Sequence, residues 1–112
     1  MKLTDRSFED LREIEQYSIR SFGKKVANKY MDDIESGLVL LSENAGLLQD
    51  VEGFSGRLKY YRIRHHFLIC SEFKEFLLVL TIKHVQMDII KRLAKLETTL
   101  ILESELLLDR LK

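Results

Sequence analysis

Side chains that could act on a phosphate-bearing or acidic target gather near the middle of this sequence. Arg62, Arg64, Lys83 and His84 lie within or at the end of short apolar runs, and the tyrosine pair Tyr60–Tyr61 lies beside them. Cleaving an RNA backbone needs a base for the ribose 2′-hydroxyl, cations for the crowded phosphate and an acid for the leaving oxygen. These residue types are present, so we take the two arginines, the lysine and the histidine as candidates for contacting a target. Their arrangement is not given by sequence, and we assign no catalytic residue.

Charge is unevenly distributed, although the formal net charge of the 112-residue chain is zero. Residues 57–95 carry nine basic and three acidic side chains, a net charge of +6. Residues 1–56 carry seven basic and eleven acidic side chains, a net charge of −4, and residues 96–112 carry two and four, a net charge of −2. A basic centre can steer a domain toward an acidic partner or nucleic acid, but solvated lysines on a sheet edge give the same pattern. Both interpretations stay open.

The residues give little support to metal, cofactor or disulfide chemistry. His65 and His66 have no acid or cysteine at ligand spacing, so we expect no metal site. We expect no cofactor either, because the sequence contains neither a Walker phosphate loop nor a G-x-S-x-G elbow. Cys70 is the only cysteine and lies inside the apolar run Phe67–Cys70. We interpret it as a small buried hydrophobic residue in a reducing compartment.

The first half of the chain predicts two helices. A short strand is possible at Lys2–Thr4, and Ser7 followed by Asp10 indicates a capping-box start for a helix that ends near Gly23. Helical spacing resumes at residue 24 and continues to about residue 44. Because so little chain separates the helices, we expect an antiparallel hairpin. The apolar stripe expected on the first helix comprises Phe8, Leu11, Ile14 and Phe22.

The second half predicts a sheet. Residues 45–56 indicate a loop, and residues 57–64, 65–73 and 75–83 indicate three strands in an antiparallel meander. The last strand is apolar on both faces and needs a cover on each, one from the helical hairpin and one from a C-terminal helix starting near Asp88. We therefore predict one α+β domain over residues 1–112, with an N-terminal strand, an antiparallel helical hairpin packed on a small antiparallel sheet, and a C-terminal helix.

The order of these elements and two segments of the first half resemble the ParE branch of the ParE/RelE toxin superfamily. Residues 3–23 are similar to the ParE opening, in which a strand runs into an A-x-x-D-L-x-x-I-like helix that ends before glycine. The matching residues are Asp10, Leu11 and Ile14, with Ser7 where alanine is common. Residues 27–48 are similar to the family stretch A-x-x-Y…L-x-x-L-x-x-x-P-x-x-G, except that Ala45 replaces the proline.

The most specific part of the resemblance follows the last strand. In ParE proteins a hydrophobic strand leads to His-x-x-Met-Asp, and here those residues are His84, Met87 and Asp88. The resemblance covers about residues 2–96, so residues 97–112 form an extension beyond the family core. Within this extension the runs Leu100–Leu102 and Leu106–Leu108 are apolar on all sides, and we expect it to dock on the protein's own sheet, with homodimerisation or an antitoxin groove as alternatives.

What the resemblance implies is the toxin of a type II toxin–antitoxin (plasmid stabilisation) system, neutralised by a cognate ParD-like antitoxin. ParE-type toxins are associated with inhibition of DNA gyrase, which would make this protein a binder of an enzyme and not itself an enzyme. The alternatives are a RelE-type ribosome-dependent mRNA endonuclease and an inactive family member that serves as an interaction module. We expect a cytoplasmic protein without a membrane partner, since the N-terminal residues contain no long apolar stretch.

Two structural questions separate these functions. In strand phase Tyr60, Arg62 and Arg64 share one face, which would suit stacking and phosphate contacts with RNA. The same alternation suits the solvated face of an antiparallel sheet, and we favour that interpretation. His84 would be a general base in a nuclease, whereas we favour a structural role in which it hydrogen-bonds the following turn, toward Asp88. The stretch after the last strand is apolar and acidic, which disfavours a phosphate grip.

Overall fold

The computed structural model describes residues 1–51 and 58–86, which form two helices packed on a five-stranded mixed sheet. This confirms the predicted α+β class. In chain order the elements are β1 (Lys2–Leu3), α1 (Asp5–Phe22), α2 (Lys24–Glu43), a 3-10 turn (Ala45–Leu47), β2 (Gln49–Asp50), β3 (Lys59–Ile63), β4 (His66–Glu72) and β5 (Leu77–His84). The strands are arranged in the order β1-β5-β4-β3-β2. The predicted C-terminal helix and the extension at 97–112 lie outside the described residues.

The sheet confirms the predicted antiparallel meander of β3, β4 and β5 but differs at both edges. β1 pairs with β5 in parallel, so the sheet is mixed and the prediction of an antiparallel sheet is wrong at this strand. A parallel pair needs a long connection, and here the whole helical hairpin and the other strands intervene between β1 and β5. At the other edge, β2 lies inside the predicted loop and pairs with Lys59 and Tyr60. A two-residue strand is too short to show alternation in a sequence.

Helix α1 begins differently from its predicted capping box. Thr4 is the N-cap, and its Oγ1 accepts a hydrogen bond from Ser7 N (3.1 Å) while donating to Leu80 O (2.7 Å). Ser7 and Asp10 are buried residues of the helix and not its boundary, so the predicted capping box is wrong. Phe8 is 53% exposed, whereas the apolar stripe was expected to be buried. Leu11 and Ile14 of the predicted stripe do pack against the core, and the helix also buries Ser7, Asp10 and Ser18, because it lies beside the edge of β5, where backbone groups need partners.

The helical hairpin is present as predicted. Gly23 separates the helices with φ 86°, a value that favours glycine, and its N–H donates to Ile19 O (3.0 Å) to end α1. Phe22 at the hairpin tip is 62% exposed, so its predicted place in the buried apolar stripe is wrong. In α2, Gly37 allows the helix to lie very close to β3, since an added Cβ would come 2.4 Å from Ile63 Cδ1. This close approach places the middle of α2 over the end of β3.

Apolar side chains pack on both faces of the sheet. On the side toward the helices, Ile34 and Leu41 of α2 pack with Ile63, Leu68, Cys70, Leu77, Val79 and Ile82 of the strands. The opposite face is built from Val51, Leu58, Ile69, Leu78 and Leu80, with Tyr60, Phe67, Phe73 and Phe76 partly buried around them. Cys70 is fully buried, and burial raises the pKa of its thiol to about 12, which confirms the interpretation of an inert core residue. The predicted cover for the second face, the segment after Asp88, falls outside the described residues.

Candidate functional site

One end of the sheet brings together the β3–β4 turn, the end of β5 and the middle of α2. Ile63 pairs with His66, so the hairpin turn consists of Arg64 and His65 alone. His66 pairs in turn with His84 of β5. The three histidines of the chain therefore meet at this end of the sheet, a grouping that was not predicted from the sequence.

The histidine rings lie close enough to influence one another. The ring centroids of His66 and His84 are 5.1 Å apart in an edge-on arrangement, and those of His65 and His84 are 6.3 Å apart and stacked. Burial, and then the neighbouring His84 and His65, lower the pKa of His66 to about 4, while Asp10 opposes this shift. His66 is consequently neutral near neutral pH.

Tyr30 of α2 ties the turn to the helix. Its hydroxyl lies 2.5 Å from His66 Nδ1, and its oxygen accepts a hydrogen bond from His65 N (3.3 Å). The Tyr30 oxygen already accepts from His65 N, and donation of its own proton to Nδ1 gives that proton an acceptor, so we assign Nδ1 as the acceptor and place the His66 ring proton on Nε2. Burial raises the pKa of Tyr30 despite the opposing effects of the His65 backbone bond and of the Arg64 and Arg62 charges. The phenol therefore stays protonated and cannot serve as a base.

Arg64 occupies a strained backbone position that contacts with α2 hold in place. Its φ is 53°, in the left-handed region, and it is the only described residue other than glycine with a positive φ. Its guanidinium pairs with Asp33 (2.5 Å) and lies 5.1 Å from the centre of the Tyr30 ring. Arg62 Nε also donates to the carbonyl oxygen of Arg64 (2.7 Å). Strain maintained by several contacts is typical of turns that present functional groups.

Two substitutions of Arg64 distinguish the energetic cost of its positive φ from the stability contributed by its side-chain contacts. Arg64→Ala removes the Asp33 and Tyr30 contacts and keeps a Cβ at positive φ, whereas Arg64→Gly removes the same contacts and relieves the strain. We expect the glycine variant to be more stable than the alanine variant by about 1 kcal/mol in urea denaturation. Equal stability of the two variants would show that the turn is unstrained.

The structure does not bring Tyr60, Arg62 and Arg64 together on one face of the sheet, as strand phase predicted. Tyr60 is half-buried on the face away from the helices, where its ring packs edge-on against Phe67 at 5.4 Å. Arg62 is exposed in β3, but the turn redirects Arg64 toward α2, so these three side chains do not form one platform. The alternative that we favoured from the sequence, in which this face of the sheet is solvated, is also wrong for Tyr60, because its ring is half-buried. Strand-phase counting failed because the strand ends at Ile63, one residue before Arg64.

Lys83 forms an ion pair with the buried carboxylate of Asp10. Its Nζ lies 3.6 Å from Asp10 Oδ1, while Asp10 Oδ2 accepts hydrogen bonds from Thr81 Oγ1 (2.5 Å) and Ile82 N (2.9 Å). Asp10 therefore fastens α1 to the end of β5 just before His84. The charge of Lys83 is largely used within the protein, which reduces its value as a target contact.

His84 makes the kind of hydrogen bond to the following turn that we favoured from the sequence. Its Nδ1 accepts a hydrogen bond from Gln86 N (3.0 Å), and Val85 N donates to His65 O (2.9 Å), which fixes the chain leaving β5 against the turn. A neutral ring with an occupied Nδ1 carries its proton on Nε2 and is a donor there. The predicted contact with Asp88, and the family-pattern residue Met87, lie outside the described residues.

The arrangement offers hydrogen-bond donors but few free bases. The Nδ1 lone pairs of His66 and His84 already accept hydrogen bonds, and Tyr30 stays protonated. Exposed Arg62 and His65 add further polar groups at the surface. Such a surface can bind an anionic or polar partner, whereas its described part is poorly equipped to abstract a proton. Among residues 1–51 and 58–86 no group of three or more potential ligands could hold a metal ion.

Sequence reasoning missed three residues that build the site from the helices, namely Asp10, Tyr30 and Asp33. Asp10 and Tyr30 match positions of the patterns that resemble ParE, and Asp10 was also assigned to the predicted capping box, but neither was predicted to contact the turn or the end of the last strand. None of the three is near the turn in sequence; Tyr30 and His66 are 36 residues apart. Their contacts depend on how the hairpin lies on the sheet.

Comparison with known proteins identifies the fold. No family model matches the chain, and no curated protein matches it. Among solved structures, a chain from the chromosomal ParDE TA (toxin–antitoxin) system of P. aeruginosa is 17% identical, with a TM-score of 0.67. The match covers 76% of this chain and 94% of that chain. At this identity the likeness shows a shared fold. Within the part of the chain that the structure describes, no helix is long and apolar enough to cross a bilayer.

Proposed function

We propose that this protein is the toxin of a ParE-like toxin–antitoxin pair, which acts in the cytoplasm by binding DNA gyrase and is neutralised by a cognate ParD-like antitoxin. Two independent observations support the toxin–antitoxin assignment. The sequence resembles ParE in its opening, in the stretch containing Tyr30 and in the ending at His84. The fold is shared with a chain of a ParDE system. The choice of gyrase as the target rests on the ParE resemblance.

The state of the candidate bases supports binding over catalysis. A RelE-like nuclease would need a group with a free lone pair beside cations, yet His66 and His84 each have Nδ1 occupied. The remaining histidine, His65, is exposed at the turn, and within residues 1–51 and 58–86 its ring stacks on another histidine and not on an orienting carboxylate. An imidazole without such a partner is a weak candidate for a general base. This observation favours a protein that grips its target without breaking a bond in it.

The ion pairs at this end of the sheet indicate which of the four predicted target-binding residues is best placed to contact a target. Arg64 and Lys83 pair with Asp33 and Asp10, so much of their charge is compensated within the protein. Arg62 is exposed, and among its contacts with described residues it donates from Nε to a backbone oxygen. Its terminal nitrogens have the geometry to engage a carboxylate or phosphate. We therefore expect Arg62 to contribute most of the four to target binding.

Expression without a partner tests the toxin assignment. Induced wild-type protein should arrest growth, and co-expression of a neighbouring small open reading frame, as the antitoxin candidate, should restore it. We expect Arg62→Ala to weaken toxicity by about tenfold or more, since a charged hydrogen bond contributes about 1.5 to 3 kcal/mol. Lys74→Ala is the matched control, because Lys74 is an exposed cation in the β4–β5 connection at the opposite end of the sheet. Unimpaired growth at verified protein levels would favour the interaction module.

Two parallel assays identify the target. Purified gyrase should lose supercoiling activity in the presence of the protein, while a translation extract should show no codon-dependent mRNA cleavage. Cleavage that disappears in both His84→Ala and Arg62→Ala would establish the nuclease alternative instead. Inhibition of gyrase by the wild type and by Lys74→Ala, but not by Arg62→Ala, would support the binding surface at the β3–β4 turn.

A further inference from the structure

The β3–β4 turn is fastened to its surroundings through the backbone of one histidine and the ring of the next. His65 N donates to the Tyr30 oxygen (3.3 Å), and Val85 N donates to His65 O (2.9 Å). The Tyr30 hydroxyl donates to His66 Nδ1 (2.5 Å). One tyrosine oxygen thus joins α2 to both residues, and the Tyr30 proton has His66 Nδ1 as its acceptor only while that nitrogen is unprotonated.

Protonation of His66 would reverse this arrangement. A proton on Nδ1 turns the nitrogen into a donor, so the Tyr30 oxygen would have to accept from both His66 and His65 N and direct its own proton elsewhere. The new charge would also face the His84 ring, whose centroid lies 5.1 Å away, and both His84 and His65 oppose a charge on His66. Like charges in a half-buried cluster disfavour the charged form.

The charged groups that surround His66 cannot compensate for the added proton. From α1, Asp10 acts on His66 favourably, but it is paired with Lys83 of β5. From α2, Asp33 lies near Tyr30, but it is paired with Arg64 of the turn. Among the described elements that pack against the His66 ring, the charge balance is therefore neutral or positive.

We propose that this cluster is a proton-operated latch, in which protonation of His66 releases the Arg64–His65 turn from Tyr30 of α2. The closed latch holds Arg64 at its strained φ and fixes the surface around Arg62. The open latch relaxes that strain and loosens the surface. Weaker target binding at acidic pH is a further consequence that rests on the proposed function, whereas the latch itself rests only on contacts within the chain.

The size of the effect follows from linkage. The pKa of His66 is about 4 with the latch closed, compared with an ordinary value of 6.5. A ring released to solvent would bind a proton up to about 300-fold more tightly, and protonation would shift the equilibrium toward the open state by the same factor. Since His66 is only partly buried, we expect a measured shift of about tenfold to a hundredfold.

Amide hydrogen exchange of the free protein tests the latch. After correction for intrinsic rates, protection of the His65 and Val85 amides should fall by about tenfold or more between about pH 7.5 and about pH 5. Amides in the centre of β4 should keep their protection, which distinguishes local opening from global unfolding. His66→Gln places a non-titrating acceptor opposite Tyr30 and should abolish the pH dependence.

A second variant keeps the test decisive if His66→Gln does not fold. Tyr30→Phe removes the hydroxyl, so the His65 amide should be unprotected at both pH values while the ring still packs against His66. Unchanged protection in this variant, or a pH-dependent loss that persists in His66→Gln, would overturn the latch. Since no target is present, failure of the growth or gyrase assays would count against the proposed function alone.

Discussion

Replacing Asp10 by alanine is expected to destabilise the protein by about 3 to 4 kcal/mol, the largest effect of any substitution considered for this site. The carboxylate is nine-tenths buried and accepts hydrogen bonds from Thr81 Oγ1 and Ile82 N. Its removal leaves the fully buried Thr81 hydroxyl and a strand N–H without their partner and deprives Lys83 of its counter-charge. The end of β5, including His84, should then detach from α1.

Urea denaturation measures the loss of unfolding free energy in Asp10→Ala. Two further variants of α1 and one of β5 show which contacts of the carboxylate cause it. Glu13→Ala, an exposed acid on the same helix, should change the free energy of unfolding by less than about 0.5 kcal/mol. Asp10→Asn keeps one acceptor oxygen and should fall between the wild type and alanine. In a double-mutant cycle, Asp10→Ala and Thr81→Val should show strong coupling. A loss below about 1 kcal/mol in Asp10→Ala would mean that the carboxylate is not the fastening point.

Acidification is expected to lower global stability through His66, with a contribution of about 2 kcal/mol between neutral pH and pH 4. The pKa of His66 is about 4 in the folded protein and near 6.5 when unfolded, so the unfolded chain binds the proton first. This stability is therefore fully present above about pH 6.5 and is lost as the pH falls toward about 4. The full shift would correspond to about 3.4 kcal/mol, which we reduce because the ring is only partly shielded from solvent.

Comparison with His66→Gln isolates this contribution, since carboxylates titrate in both proteins over the same range. The difference in unfolding free energy between the wild type and the variant should shrink by about 2 kcal/mol from about pH 7.5 to about pH 4. His65→Gln serves as a control, because His65 is exposed and contributes only a smaller part of the shift at His66. A constant difference between wild type and His66→Gln across this range would contradict the lowered pKa.

Much of the fold was predictable because local patterns reflect it directly. The helical hairpin around Gly23 and the meander of β3 to β5 follow from periodicity and short connections. The parallel pairing of β1 with β5 could not be predicted, because a two-residue strand has no sequence pattern that indicates its direction in the sheet. The helix start was misjudged because Ser7 and Asp10 satisfy a capping pattern, while Thr4 is the true cap and also bonds to β5.

The candidate site was only partly predictable. Arg62 and His84 were chosen from the basic segment, and both lie at the end of the sheet that the structure singles out. Arg64 and Lys83 were chosen in the same way, but each is paired with a carboxylate of a helix. Their partners lie 31 and 73 residues away in sequence, so no spacing rule could have identified them.

The sequence by itself determined the fold class, the resemblance to ParE and which stretch of the chain carries the excess of positive charge. Those properties are local, since composition, periodicity and short patterns can be read within a few residues. Only the tertiary structure decided which of those charges are compensated, which lone pairs are occupied and which histidine is neutral. These depend on contacts such as those of Tyr30 with His66 and of Asp10 with Lys83, which form only when the helices lie on the sheet. The physical reason is that charge compensation and burial depend on distances in space, and packing alone sets those distances.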